Sequence, residues 1–436
     1  MSAAQAAADI AQGKISAQDY TQACLDQIAA NEPAVGAFIH LDPEHALAQA
    51  RACDEYRQSG RPIGPLHGIP VGIKDIIDTA DYPTECGTAM MAGRRPQKDA
   101  AVVTRLRAAG AIILGKTVTT EMAYFFPGKT KNPHDLARTP GGSSSGSAAS
   151  VAAGMVPISI GSQTNGSVIR PGSFCGVYAM KPSHGLVSRA GVLPLSRTLD
   201  HLGPFARSLD DLALTMDAIA GYDPEDLDSR PFGARNFRQV MTENFPLAPR
   251  LAFVRTPKWD QADADTREQF EALVAELGDV CQTFDLPERY ADGWESQRVI
   301  MAADMAHNLG IVADEGGNKV SDRFHALMAD GRKVTATRYL AALAERDILR
   351  DSLETVFQQQ FTAFITPAAR GAAPKDLTVT GDPVFCTLWS LLGLPAITLP
   401  LLKSSEGMPV GVQLVGPMGD DARLMRTARW LVEKLG

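Results

Sequence analysis

Two stretches rich in glycine and serine, Gly141-Gly-Ser-Ser-Ser-Gly-Ser147 and Gly161-Ser-Gln-Thr-Asn-Gly-Ser167, are where this chain could do chemistry. The second follows the apolar run Val156–Ile160, which reads as a strand. Its small, turn-forming residues can therefore point successive backbone N–H groups at one spot, and such a nest can hold an oxyanion. Ser167 places a hydroxyl beside it. The first stretch is no flexible linker, because it flows directly into Ala148–Gly154, a helix-forming run of small residues suited to close packing. A serine hydroxyl is a poor nucleophile unless a base removes its proton as it attacks. The open question is which base these loops meet.

Two other patterns invite the wrong answer. Gly110-Ala-Ile-Ile-Leu-Gly-Lys-Thr117 satisfies the spelling of a phosphate-binding loop, but the residues between its glycines are themselves an apolar strand. Gly142-Ser-Ser-Ser-Gly146 spells a nucleophile elbow centred on Ser144, yet the polar, proline-broken segment before it cannot be the strand that an elbow requires. The histidines downstream of it, His184, His201, His307 and His325, lie in no setting that marks a catalytic imidazole. There is no HExxH motif and no acidic metal cluster, so neither a metal nor an organic cofactor is expected.

Further function classes fall to composition. A formal charge of -8 with no basic patch disfavours nucleic acid or an anionic membrane as a partner. No run approaches the roughly 20 apolar residues that span a bilayer. Met1–Ser16 lacks the basic and apolar regions of a signal peptide. Six scattered cysteines form neither a disulfide scaffold nor a CxxC site. A cytoplasmic protein is expected.

The elements that must position the loops alternate between α and β. Ser16 and Asp19 predict a capped helix through about Ala30, Ile69–Ile77 a buried strand ending in a turn, Val102–Ala109 a helix and Ala111–Leu114 a strand. Val168–Ile169 reads as a short β-prone run, and strand signals return at Ala363–Thr366 and Leu394–Leu399 after a helix-rich stretch over about 285–362. The alternation predicts an α/β fold. One domain over 1–436 is expected, with a core at about 60–210 and a helical insertion at about 285–362.

The long segment RTPGGSSSGSAASVAAGMVPISIGSQTNGSVIRPGSFCGVYAMKPSHG, together with HGIPVGIKD upstream and GLPAITLP and PVGVQLVGPMGDD downstream, resembles the amidase signature family over nearly the whole chain. The resemblance implies a wide, mixed, twisted sheet sandwiched by helices. It also implies a hydrolase of linear amides working through a Ser-cisSer-Lys triad and an acyl-enzyme. Carried over position by position, the base is Lys74, the cis-peptide serine is Ser143, and the nucleophile is Ser167. The oxyanion hole is formed by the amides of Thr164, Asn165, Gly166 and Ser167. The segment Glu121–Phe126, including Tyr124, matches the one that lines the acyl pocket. Further pocket residues are expected from Thr366–Pro374 and Phe385–Trp389. Three departures stand out: Gln163 where many members have Asp, Asn165 where many have Gly, and Arg170 three rather than two places after the nucleophile. Asn tolerates positive φ better than most residues, so it can replace glycine in a strained loop. Gln163 with Arg170 is similar to the malonamidase branch, in which the arginine meets a substrate carboxylate. A structural ion pair is the equal alternative for Arg170.

A lysine can act as base only when neutral, and bringing its pKa from about 10.4 to near 7 takes about 4.6 kcal/mol. Burial supplies that if no carboxylate pairs with the amine. Asp75 is adjacent, but neighbouring side chains on a strand point to opposite faces. The substrate is expected to be a small amide or carbamate. Aryl amides and anilides lead, with ester and carbamate side activity. Small carboxylated amides and a glutaminase subunit of a tRNA-dependent amidotransferase are the alternatives. The sequence permits a homodimer without fixing the oligomeric state.

Overall fold

The computed structural model describes residues 1–230 and 236–435. Their eleven strands are β1 (Phe38–Leu41), β2 (Pro70–Lys74), β3 (Ile112–Thr117), β4 (Ile158–Gln163), β5 (Tyr178–Lys181), β6 (His201–Ala206), β7 (Leu251–Arg255), β8 (Cys281–Asp285), β9 (Ala363–Pro367), β10 (Ala396–Lys403) and β11 (Pro409–Val415). They form one mixed sheet in the order β1-β3-β2-β4-β6-β5-β10-β11-β9-β7-β8. Every residue of β2, β3, β4, β6 and β9 is buried. Because successive side chains point to opposite faces, both faces of the sheet's interior must be covered. The fold is thus α/β with helices on both sides of the sheet.

At the heart of the N-terminal half, β2 runs parallel to both β3 and β4. Parallel neighbours need crossovers. Helix Ala101–Ala108 lies in the connection from β2 to β3, and helix Ser145–Ala152 in that from β3 to β4. The glycine-lysine run at 110–117 is a buried strand, as its apolar spacing predicts. Ser16 caps the second helix through Asp19 N–H, but that helix continues past Ala30 to Val35, where Gly36 in the left-handed region (φ 64°) ends it. Between β8 and β9 stand helices Asp292–Gly316, Asp322–Arg332 and Ala336–Gln359.

One local expectation fails. Val168 and Ile169 do not extend a strand; Ile169 opens the helix Ile169–Phe174. The reason is Gln163, whose side-chain carbonyl accepts the N–H groups of Val168 and Ile169 at 2.8 and 2.9 Å. These are donors that a helix N-terminus otherwise leaves unsatisfied.

Close approach of backbones holds the serine-rich helix in place. A Cβ on Gly146 would lie 2.2 Å from the Ala37 carbonyl oxygen and 2.4 Å from Val118 N, neither of which can move alone. Gly146→Ala is expected to lower stability by about 1–3 kcal/mol or more. The measurement is a fall in the urea midpoint, and an unchanged midpoint would contradict this packing.

Candidate active site

The parallel strands β2 and β4 deliver their C-terminal ends to one edge of the sheet, the usual place for a site in an α/β fold. Lys74 is the last residue of β2 and has no exposed surface. Its Nζ is 2.7 Å from Ser143 Oγ and 2.8 Å from Ser162 Oγ. Burial holds the amine well below the ordinary lysine range, opposed by the more distant charges of Asp200 and Cys86. Asp75, the turn residue that follows the strand, does not pair with that amine. It pairs instead with buried Lys116 at 3.3 Å and accepts the Glu85 N–H. Burial raises Asp75 and lowers Lys116, and each partner draws the other back.

Ser143 follows a cis Gly142–Ser143 peptide bond. The loop after β4 is pinned residue by residue. Thr164 Oγ1 donates to Asp200 at 2.6 Å. Asn165 accepts from Thr387 at 2.8 Å through Oδ1, and from Ser390 through its backbone carbonyl. The Gln163 amide donates to Ser390 at 2.8 Å. The replacement of Asp by Gln at 163 therefore puts one acceptor and one donor to use at once. Asn165 does not need positive φ: among the described non-glycine residues only Cys86, Met122 and Ala123 adopt it. Gly166 is required for a different reason, since a Cβ there would lie 2.6 Å from Arg170 Nη1 and 2.8 Å from the Pro383 Cβ.

Ser143, Ser167, Thr164, Asn165, Gly166, Tyr124 and Arg170 line one narrow cavity of about 20 Å³, joined by Ala123, Phe125, Leu195, Met301 and Thr380. Ser143 and Ser167 share this cavity without a direct hydrogen bond; such contacts commonly tighten only around a substrate. Of the three consecutive aromatics, Tyr124 and Phe125 face the cavity, whereas Phe126 is exposed elsewhere. They are delivered by a strained turn, Met122 (φ 43°) and Ala123 (φ 55°). That turn is anchored by Glu121, whose carboxylate accepts the N–H and hydroxyl of Ser321, at the head of helix Asp322–Arg332. Thr366–Pro374 and Phe385–Trp389 do not line this cavity; Phe385 and Trp389 are core residues.

Arg170 is not an ion-pair partner. It is fully buried, with no carboxylate in salt-bridge range among the described residues. Its Nε and Nη2 donate to the carbonyls of Thr380 and Gly142, each at 2.7 Å, and Nη1 has no partner. Burial lowers its pKa to about 10. Cys86 and Cys175 are packed, and burial raises both thiols. Among the described residues, no group of three or more His, Cys, Asp or Glu side chains could hold a metal. Among them, too, no helix is long and apolar enough to cross a membrane.

Sequence reasoning missed Ser162, Asp200, Leu195, Met301 and Thr380. Ser162 sits within the glycine-serine stretch that the sequence singled out; the rest come from distant segments.

A mixed sheet that buries a lysine amine against a serine hydroxyl, beside a second serine and a glycine loop, fits an amide-bond hydrolase of the α/β class. The family model described as Amidase matches residues 19–425, and the chain belongs to the amidase signature family. It is 37% identical to a glutamyl-tRNA(Gln) amidotransferase subunit from Chloroflexus aurantiacus, over 98% of this chain and 94% of that one. Among solved structures it is similar to the peptide amidase of Stenotrophomonas maltophilia, with a TM-score of 0.87 and 28% identity over 100% of this chain and 96% of that one. It is also similar to a structure described as bearing on the origins of an s-triazine catabolic enzyme, with a TM-score of 0.92 and 30% identity over 99% and 98% of the two chains.

Asp75→Asn leaves Lys116 buried without its charge partner and is expected to cost about 3–5 kcal/mol of stability, read by urea denaturation. A variant as stable as the parent would overturn the pairing.

Proposed function

We propose that this enzyme hydrolyses small amides through an acyl-enzyme, with Ser167 attacking the carbonyl carbon, Ser143 relaying protons and neutral Lys74 acting as base. The observation that carries the reading is the Lys74–Ser143 contact of 2.7 Å at a wholly buried amine whose neighbouring carboxylate is engaged with Lys116. As Ser167 Oγ bonds to carbon, its proton passes to Ser143 and the Ser143 proton to Lys74. When the C–N bond breaks, Ser143 protonates the leaving nitrogen and Lys74 returns its proton to Ser143. Water then repeats the cycle on the ester. The amides of Thr164, Asn165, Gly166 and Ser167 serve as the oxyanion hole, where losing one donor typically costs about 2.7–4 kcal/mol.

For the substrate, the geometry favours small carboxylated amides. Arg170 is a buried guanidinium on the cavity wall with Nη1 unpartnered and no protein carboxylate in range among the described residues, a state that an anionic acyl group would satisfy. Aryl amides and anilides, with esters and carbamates beside them, are a second reading supported by Tyr124, Phe125 and Met301. The glutaminase role is supported by the relatives named as amidotransferase subunits. Glutamine is itself a small amide bearing a carboxylate. A cytoplasmic location accords with six free cysteines.

Lys74→Ala and Ser167→Ala are each expected to abolish turnover while leaving the fold intact. An active Ser167→Ala protein would refute the assignment. The pH dependence has a definite sign. The active form is the neutral amine, so kcat/KM rises with pH through the lowered pKa of Lys74 and is lost on acidification; a profile flat in acid would exclude lysine as base.

A panel of malonamate, glutamine, an anilide, an aryl carbamate and a nitrophenyl ester separates the substrate readings. Arg170→Met is expected to lose at least about tenfold in kcat/KM on the carboxylated members, the loss of one charged hydrogen bond, and far less on the neutral ones. Equal losses on all would remove Arg170 from substrate recognition. Purification of the lone chain, by itself or with partner subunits, shows whether glutamine hydrolysis depends on a complex or a second copy.

A further inference from the structure

Lys74 has no contact with solvent, yet each of its two hydroxyl partners borders a different cavity. Ser143 lines the narrow one that holds Ser167. Ser162 lines a second cavity of about 180 Å³, together with Ile76, Asp200 and His201. A single buried water needs only about 10–15 Å³, so this second cavity has room for several. Thr164 and Leu195 line both cavities and form the partition between them.

A neutral lysine has two N–H donors and one lone pair. If the lone pair is to receive the Ser143 proton, an N–H must point elsewhere, and Ser162 Oγ at 2.8 Å is the acceptor for it. The Ser162 backbone N–H goes to Ser144 Oγ at 3.2 Å, and its carbonyl accepts the Ser144 hydroxyl at 3.1 Å. The Ser162 position is therefore fixed from behind, and its own hydroxyl proton is left to turn toward the second cavity.

We propose that Ser162 aims the Lys74 lone pair at Ser143 and is the route by which Lys74 exchanges a proton with solvent while the substrate cavity is filled. The exchange balances without any other reactant. Charged Lys74 gives a proton to Ser162 Oγ as the Ser162 hydroxyl proton passes to a water in the second cavity. This leaves neutral lysine, an intact hydroxyl and hydronium, and the reverse sequence recharges the amine. The need differs between substrates. The leaving nitrogen of an amide must take the proton held on Lys74, through Ser143, and so restores the neutral base. A nitrophenolate departs without a proton, so Lys74 stays charged at the acyl-enzyme and must pass its proton to solvent before it can serve as base to the attacking water.

The inference rests on Lys74 acting as base, and the test keeps the two apart. The substrates are a nitrophenyl ester and a primary amide of the same acyl group, assayed with the parent, Ser162→Ala and Ser162→Thr, each checked for an unchanged urea midpoint. Ser162→Ala is expected to lower kcat on the ester at least about tenfold more than on the amide, a smaller effect than the roughly hundredfold or more that a whole acid–base step contributes. Ser162→Thr, which keeps the hydroxyl, restores the parental ratio. Equal losses on both substrates would overturn the proton route, and no loss on either would overturn the aiming role as well, while leaving Lys74 as base. An active Lys74→Ala protein would instead remove the base itself.

Discussion

The whole arrangement depends on keeping one amine out of water without giving it a carboxylate. Three buried lysines show how particular that condition is. Lys116 pairs with Asp75. Lys181, at the end of the central strand β5, is held by the carbonyls of Pro182 and Leu394, and burial lowers it to about 7. Lys74 alone has only hydroxyl partners. Its place as the last residue of a strand flanked on both sides by parallel neighbours excludes solvent, while the next residue, Asp75, is engaged by Lys116.

The rest of the fold supplies rigidity to the groups around that amine. The end of β4 and the loop after it are bonded at Gln163, Thr164 and Asn165 to two separate segments, one bearing Asp200 and the other the helix Val384–Leu391 with Thr387 and Ser390. A preorganised set of backbone donors is worth more than a mobile one because nothing need reorient as charge develops. Asp200 also accepts the N–H groups of Leu195 and Ser196, both at 2.9 Å. One half-buried carboxylate, its pKa raised by desolvation to about 6, thus ties the glycine loop to the wall that bears Leu195.

What the sequence made legible was local. Apolar runs marked β2, β3 and β4, the Ser16 cap marked a helix, and the HGIPVGIKD and glycine-serine motifs pointed to Lys74, Ser143 and Ser167, which the fold brings to one edge of one sheet. The nature of the Arg170 partners was not legible, because they come from Thr380, 210 residues away, and from Gly142. The Val168–Ile169 run misled for a related reason: β-propensity is weak when a side chain such as Gln163 offers those N–H groups a helical start. Cavity-lining segments were misplaced because membership depends on how Met301 and Leu195 arrive from elsewhere, which no periodicity records.

The Glu121–Ser321 contact joins two stretches 200 residues apart in the chain. Lys74, Ser143 and Ser167 all fall within residues 74–167, whereas Met301 and the anchor of the aromatic turn belong to the helices between β8 and β9. Cavity wall and serine-lysine cluster are therefore separable: helices of another length or facing at that place would reshape the space beside Tyr124 and Phe125 and leave the cluster where it stands.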